Sequence, residues 1–314
     1  MSSIKVSIRY SIWVVAAMTL WACSDHRIPA VIPGLADARL RIKTITDVSG
    51  ILYNPDKVSL FQYDSRGRLS TILAYQVVDS SKGPVERSDY QYDSQNRLIL
   101  HQHQIKRPLF FTGTTEYHRI SYRENGQVAT IEYYNDTDSP GTPILIFTAT
   151  PQFNSANKLQ SYQKILSPFV NSSGVVLRAD KVLSTISFTG DNLTSYHFQG
   201  INNDLGSSIA TVDSDITLTY DDKLNPFYGL YFIPAPRGYI INIRNGNFSA
   251  PYYYGGLDSW LTLSRNNALS SESTNAPSVT TYQYTYNPAN LPTSRTIVVS
   301  SGVAEKLTFE YESY

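Results

Sequence analysis

Residues 61–72 read Phe61-Gln62-Tyr63-Asp64-Ser65-Arg66-Gly67-Arg68-Leu69-Ser70-Thr71-Ile72, and residues 90–100 repeat them as Tyr90-Gln91-Tyr92-Asp93-Ser94-Gln95-Asn96-Arg97-Leu98-Ile99-Leu100. A looser copy runs from Ile120 to Ile131, and shorter ones cover 153–159, 188–193, 220–224 and 286–291. The apolar residue after each turn falls at 69, 98, 128, 159, 193 and 224, in steps of 29, 30, 31, 34 and 31 residues. A fixed period of this kind marks a chain built from one supersecondary unit used repeatedly.

The unit reads as a hairpin. Aromatic or aliphatic residues at i and i+2 share one face of a strand. The Asp or Asn that follows favours a turn, because its side chain bonds the backbone two residues on. Gly67, Asn96, Gly126 and Asn157 sit two residues before the apolar anchor, and Asn192 and Asn290 sit one before it. Gly and Asn tolerate the left-handed backbone that closes short hairpin loops. Between units lie second turn signals: Ser80–Pro84, Asp138–Pro143, Asn171–Gly174 and Asn202–Gly206. A period near 30 thus holds two strands and two turns, whereas a propeller blade needs about 40–45 residues. The expected fold is all-β, an antiparallel meander of hairpins in an extended curled sheet or a barrel, forming one domain over 41–314. Residues 226–262 break the period with Tyr, Pro and Gly and read as an irregular cap or loop insert.

Tyr63-Asp64-x-x-Gly67-Arg68-Leu69 and Tyr92-Asp93-x-x-Asn96-Arg97-Leu98 resemble YD repeats, the units of RHS-type shells. The chain as a whole resembles the YD-repeat-like lipoproteins of unknown function of Bacteroidota. The resemblance extends to Asn225-Pro226 after Tyr220-Asp221, to Ser264–Asn267, and to the closing Tyr284–Asn287 and Phe309–Tyr311. It implies an extended antiparallel sheet and an outer-membrane address, and it carries no catalytic residues.

The first 22 residues have the grammar of a secretory signal. Lys5 and Arg9 are the only charges before an eleven-residue apolar run, Ile12–Ala22. That run is short of the roughly 20 residues a membrane-crossing helix needs. Leu20-Trp21-Ala22-Cys23 resembles the lipobox of bacterial lipoproteins, with Trp21 a departure at its second position. Cys23 is the only cysteine in 314 residues. The expectation is cleavage before Cys23, lipid on its sulfur, a tether over 23–40 and attachment to the membrane through that lipid. A lone cysteine also excludes disulfides and thiolate metal sites from the rest of the chain.

With 26 basic and 26 acidic residues the chain has no electrostatic footprint for nucleic acid. Tyrosine stands out, at 24 against 12 Phe and 3 Trp. There is no Gly-x-Ser-x-Gly elbow, no glycine-rich phosphate loop and no twelve-residue calcium loop. The acidic residues of the repeat are accounted for as turn residues. No enzymatic activity and no cofactor is expected. Two groups of residues can carry binding chemistry. His101 and His103 alternate on one strand and so share a face, and His103 is expected opposite His118 if 107–114 closes a hairpin. Three imidazoles within reach bind zinc or copper, although no carboxylate falls at ligand spacing, and the plainer reading is three partly solvated residues on an open sheet face. Tyr252-Tyr253-Tyr254 with Trp260 offers flat rings to a sugar, against the plainer reading that they pack the insert onto the sheet. The expected function is that of a non-catalytic envelope lipoprotein, a scaffold that binds an envelope protein or a glycan. The alternative is a carbohydrate-binding or carbohydrate-processing lipoprotein that uses the Tyr/Trp-rich insert.

Overall fold

The computed structural model describes residues 40–48, 56–106, 114–136, 142–167, 169–170, 176–204, 210–228, 263–274, 279–300 and 302–314. Cys23, Tyr252, Tyr253, Tyr254 and Trp260 lie outside the described residues.

The first nine strands are β1 (Leu40–Asp47), β2 (Lys57–Tyr63), β3 (Leu69–Gln76), β4 (Glu86–Tyr92), β5 (Leu98–Ile105), β6 (Thr114–Tyr122), β7 (Val128–Asn135), β8 (Ile144–Phe153) and β9 (Leu159–Leu166). The rest are β10 (Phe169–Val170), β11 (Val176–Thr189), β12 (Asn192–Asp204), β13 (Ala210–Leu224), β14 (Asn266–Ser273), β15 (Val279–Tyr286), β16 (Pro292–Val299) and β17 (Gly302–Ser313). The pairings are antiparallel between chain neighbours, except that β9 pairs with β11 and the two-residue β10 adds to β11 alone. β17 returns to β1, from Leu40↔Ser313 to Asp47↔Leu307, while the other edge of β1 takes β2. Sixteen strands therefore close into a barrel with one extra strand. Of the two expected forms of the meander, the barrel is the one adopted. Closure removes the unpaired strand edges that an open sheet of this length would expose.

The repeated motif closes one end of this barrel. Asp64 Oδ1 accepts from the amides of Arg66 and Arg68 at 2.9 Å, and Asp93 Oδ1 accepts from Gln95 and Arg97 at 2.9 Å. Asn154 and Asn287 do the same for their own turns at 3.0 Å. The left-handed position is taken by Gly67 (φ 80°), Asn96 (64°), Gly126 (83°), Asn157 (59°) and Asn290 (59°). In the copy over 188–193 it is Gly190 (φ 60°), not Asn192, that turns the chain. Asn192 already lies on β12 and exchanges hydrogen bonds with Asn266 at 2.9 and 3.0 Å.

Alternation then sorts the side chains. On β2, Lys57, Ser59 and Phe61 are buried, while Gln62 is exposed. The inward residues nearest the motif turns are apolar, among them Phe61, Ile72, Ile120, Ile131 and Phe309, and they belong to one continuous core. Deeper along the same strands the inward residues become polar: Ser59, Ser88, His101, His118, then Lys57, Glu86, His103 and Glu116. The outer wall is polar along much of its length. Arg87, Arg119, Glu132, Asp213, Asp215, Glu272, Lys306 and Glu310 alternate with buried neighbours and so face out. The most exposed large hydrophobic residues among the described residues, such as Ile99, Ile165 and Val303, lie on different strands, and β2 and β3 also turn the paired Val58, Leu60, Leu73 and Tyr75 outward.

Candidate functional site

The histidines fall on the inner wall. His101 and His103 on β5 and His118 on β6 are 0, 3 and 2 % exposed. The register corrects the expected pairing: His101 lies opposite His118, and His103 lies opposite Glu116. The low exposure of all three also corrects the plainer reading of partly solvated residues. Carboxylates do stand beside the imidazoles. They come from β4 and β6, a neighbourhood set by strand register rather than by spacing in the sequence.

Around them lies a belt of buried ionisable groups. Lys57 pairs with Glu86, and Glu86 Oε2 lies 3.7 Å from His103 Nε2. Ser88 Oγ lies 2.8 Å from His103 Nδ1, and His101 Nδ1 lies 3.3 Å from His118 Nδ1. Rings continue the belt, with Tyr90 and Tyr133 each 4.9 Å from a flanking histidine. Burial, and then the positive charge of Lys57, pushes His103 down to about 3. Burial, and then His103 and Lys164, pushes His118 down to about 3, and His101 is depressed by burial and by both other histidines. All three are neutral at physiological pH. Among the described residues no three His, Cys, Asp or Glu side chains are placed to hold a metal ion. The belt links β2, β4, β5 and β6 across the inner wall.

The turn end carries the surface chemistry. Four of the motif tyrosines staple their hairpin to the chain segment before it. Tyr63, Tyr92, Tyr122 and Tyr220 donate their hydroxyls to the carbonyls of Ile42, Leu69, Leu98 and Leu193 at 2.7, 2.8, 2.7 and 2.6 Å. The guanidiniums of Arg41, Arg68 and Arg97 cover the rings of Tyr63, Tyr92 and Tyr122 at 4.0, 4.4 and 4.4 Å. Arg68 and Arg97 also pair with Asp64 and Asp93 in their own turns. The Tyr, Asp, Gly or Asn, Arg and Leu of the motif thus all have structural tasks.

Asn225–Tyr228 leaves this rim at the end of β13. Phe227 packs edge-on against Phe309 of β17, with centroids 5.9 Å apart. The next residue, Tyr228, lines a cavity of about 160 Å³ with Phe153 of β8 and Phe188 of β11. β8 and β17 are far apart in the strand order, so the segment meets strands from both halves of the ring. The returning chain is fastened beside it. Ser264 Oγ accepts from the Leu193 amide at 3.0 Å, and Asn225 Nδ2 donates to Ser264 O at 2.9 Å. The described residues that flank 229–262 on each side are therefore held at the rim. The break in period at 226 pointed to this place; the cavity had no signal in the sequence beyond Phe standing where other copies have Tyr.

No protein-family model matches the chain, and no curated protein matches it significantly. Among solved structures, it is similar to a porin-like protein from Bacteroides uniformis, with a TM-score of 0.47 and 14% identity over 91% of this chain and 100% of that one. It is also similar to part of the Tc holotoxin pore of Photorhabdus luminescens, with a TM-score of 0.18 and 12% identity over 83% of this chain and 15% of that one.

Proposed function

We propose that this chain is a non-catalytic, YD-repeat-like scaffold of the cell envelope, held to the outer membrane by lipid on Cys23, whose turn-end rim binds an envelope protein or glycan. The observation that carries this reading is the sense of the barrel wall. A barrel that crosses a bilayer turns an apolar band about 25 Å tall outward and keeps polar residues inside. Here Arg87, Arg119, Asp213, Asp215 and Lys306 face out, while Phe61, Ile72, Ile131 and Phe309 are buried inside. Such a wall belongs in water, and membrane attachment then falls to the acylated cysteine, whose chains contribute about 0.8 kcal/mol per buried CH₂.

The test has two arms. A fatty-acid label should mark the wild-type chain and not Cys23→Ala. Proteolysis within the tether, 24–39, should then release the barrel from membranes into the aqueous phase. Equal labelling of both chains removes the anchor, and a barrel that stays with the membrane after cleavage shows that its wall meets lipid. As to the partner, the rim position of the residues that flank 229–262 favours this insert, with Tyr252, Tyr253, Tyr254 and Trp260, as the segment that makes contact. A glycan array with Tyr253→Ala and Trp260→Ala reads that directly.

A further inference from the structure

Two copies of the motif have lost their tyrosine. At Phe153 and Phe188 no hydroxyl is present to staple one hairpin to the one before it. The cover over the ring changes at the same two places. Where Arg68 and Arg97 lie over the next tyrosine at 4.4 Å, the corresponding residues are Gln127 and Lys158. Gln127 turns to its neighbour and donates to Asn157 Oδ1 at 2.9 Å, and it brings no charge to the Phe153 ring. Lys158 is drawn to the Gly190 carbonyl and to Asp191 Oδ1, the latter at 2.9 Å, and its ammonium stands 6.0 Å from the Phe188 centroid.

Both phenylalanines line the one cavity of about 160 Å³ described above. Tyr228, 43 % exposed, stands at its edge, and Asn157, Lys158 and Asp191 supply the polar side. Burial, and then the Asp191 carboxylate, raises the Tyr228 hydroxyl above its usual range, so it too is a neutral donor there. The lining therefore combines the partly buried rings of Phe153 and Phe188 with a carboxylate, an ammonium, an amide and a phenol.

We propose that this cavity binds a single sugar ring, with the ring's C–H face on Phe153 and Phe188 and its hydroxyls on Asp191, Asn157 and Lys158. The proposal rests on the reading that the rim binds an envelope component, and it names the chemical class. An enclosed cavity of about 150 Å³ holds benzene; a space of about 160 Å³ that is open at its polar edge takes the ring of one sugar unit, with the hydroxyls at that edge. A hydrocarbon leaves the paired Lys158 and Asp191 unused. A simple anion meets the Asp191 carboxylate, and a simple cation meets the Lys158 ammonium. A neutral polyol with one apolar face suits both halves of the site.

Saturation-transfer NMR on the full chain tests this, with glucose, galactose, mannose and N-acetylglucosamine as separate probes and benzene as the apolar control. At least one sugar should receive saturation through its C–H protons. Asp191→Asn, which alters only the polar rim, should weaken that sugar about tenfold or more, as expected for loss of a hydrogen bond to a charged group. Phe153→Ala should do the same, read beside a thermal midpoint to confirm that the barrel is intact. Binding of benzene with no sugar, binding of no probe, or sugar binding unchanged in both variants each overturns the proposal. A sugar signal that survives both variants and disappears in Tyr253→Ala or Trp260→Ala overturns this site while leaving glycan binding by the rim in place.

Discussion

His103 and His118 are bases held at about 3 inside the folded barrel. In the unfolded chain they return to the usual histidine range near 6.5. Below that range the unfolded chain binds protons that the barrel refuses. Their contribution to stability is therefore complete above about pH 6.5 and is lost as the pH falls from there toward 3. Within that window each such histidine costs about 1.4 kcal/mol per pH unit. Urea unfolding at a series of pH values should show the midpoint falling steeply from pH 7 to 4. In the double variant His103→Gln, His118→Gln the slope should be shallower, whatever that variant loses at neutral pH. Equal slopes would mean that the imidazoles are solvated in the folded protein.

At the scale of the hairpin, Tyr92 shows the task that tyrosine has in the motif. Its ring packs beneath Arg68, and its hydroxyl closes on Leu69 O, the anchor of the preceding hairpin. The bond links elements that the backbone ladder alone would let slide. Tyr92→Phe keeps the ring and removes one half-buried hydrogen bond, so the expected loss is about 1 kcal/mol. Chemical denaturation measures it, and Tyr122→Phe should lose a similar amount through Leu98 O. No loss in either variant would show that water replaces the hydroxyl without cost. The hairpin was legible from sequence because its turn depends on local backbone chemistry. Asp64, Gly67 and Arg68 are within hydrogen-bonding distance of one another through neighbouring atoms of one loop. The staples were not legible, since Tyr92 and Leu69 are 23 residues apart and meet only once the hairpins lie side by side.

For the whole molecule the decisive contact is the seam between β1 and β17. Arg41 Nε donates to Glu312 Oε1 at 2.6 Å across it, Ile42 and Leu307 beside it are 0 % exposed, and Glu305 of β17 pairs with the buried Arg295. Removing 302–314 opens the edges of β1 and β16, strips apolar cover from the core and takes the Glu305 carboxylate from Arg295. Free edges invite strand addition from another copy. The truncated chain should therefore lose cooperative unfolding and elute from gel filtration as oligomers. A monomer that unfolds in one sharp transition would show that the seam is dispensable.

The sequence by itself determined the unit: its strands, its turn, its period, the inward and outward alternation, and the place near 226 where the repeat stops. These follow from interactions within about ten residues. Tertiary structure alone decided what depends on register and closure. It joined β17 to β1, it set His101 against His118 rather than His103, and it brought Glu86 and Glu116 to the histidines. It also placed Phe153, Phe188 and Asp191 around one cavity. Each of these pairs residues from different strands, and spacing along one chain does not fix which strand lies next to which or which face is turned in until the ring closes.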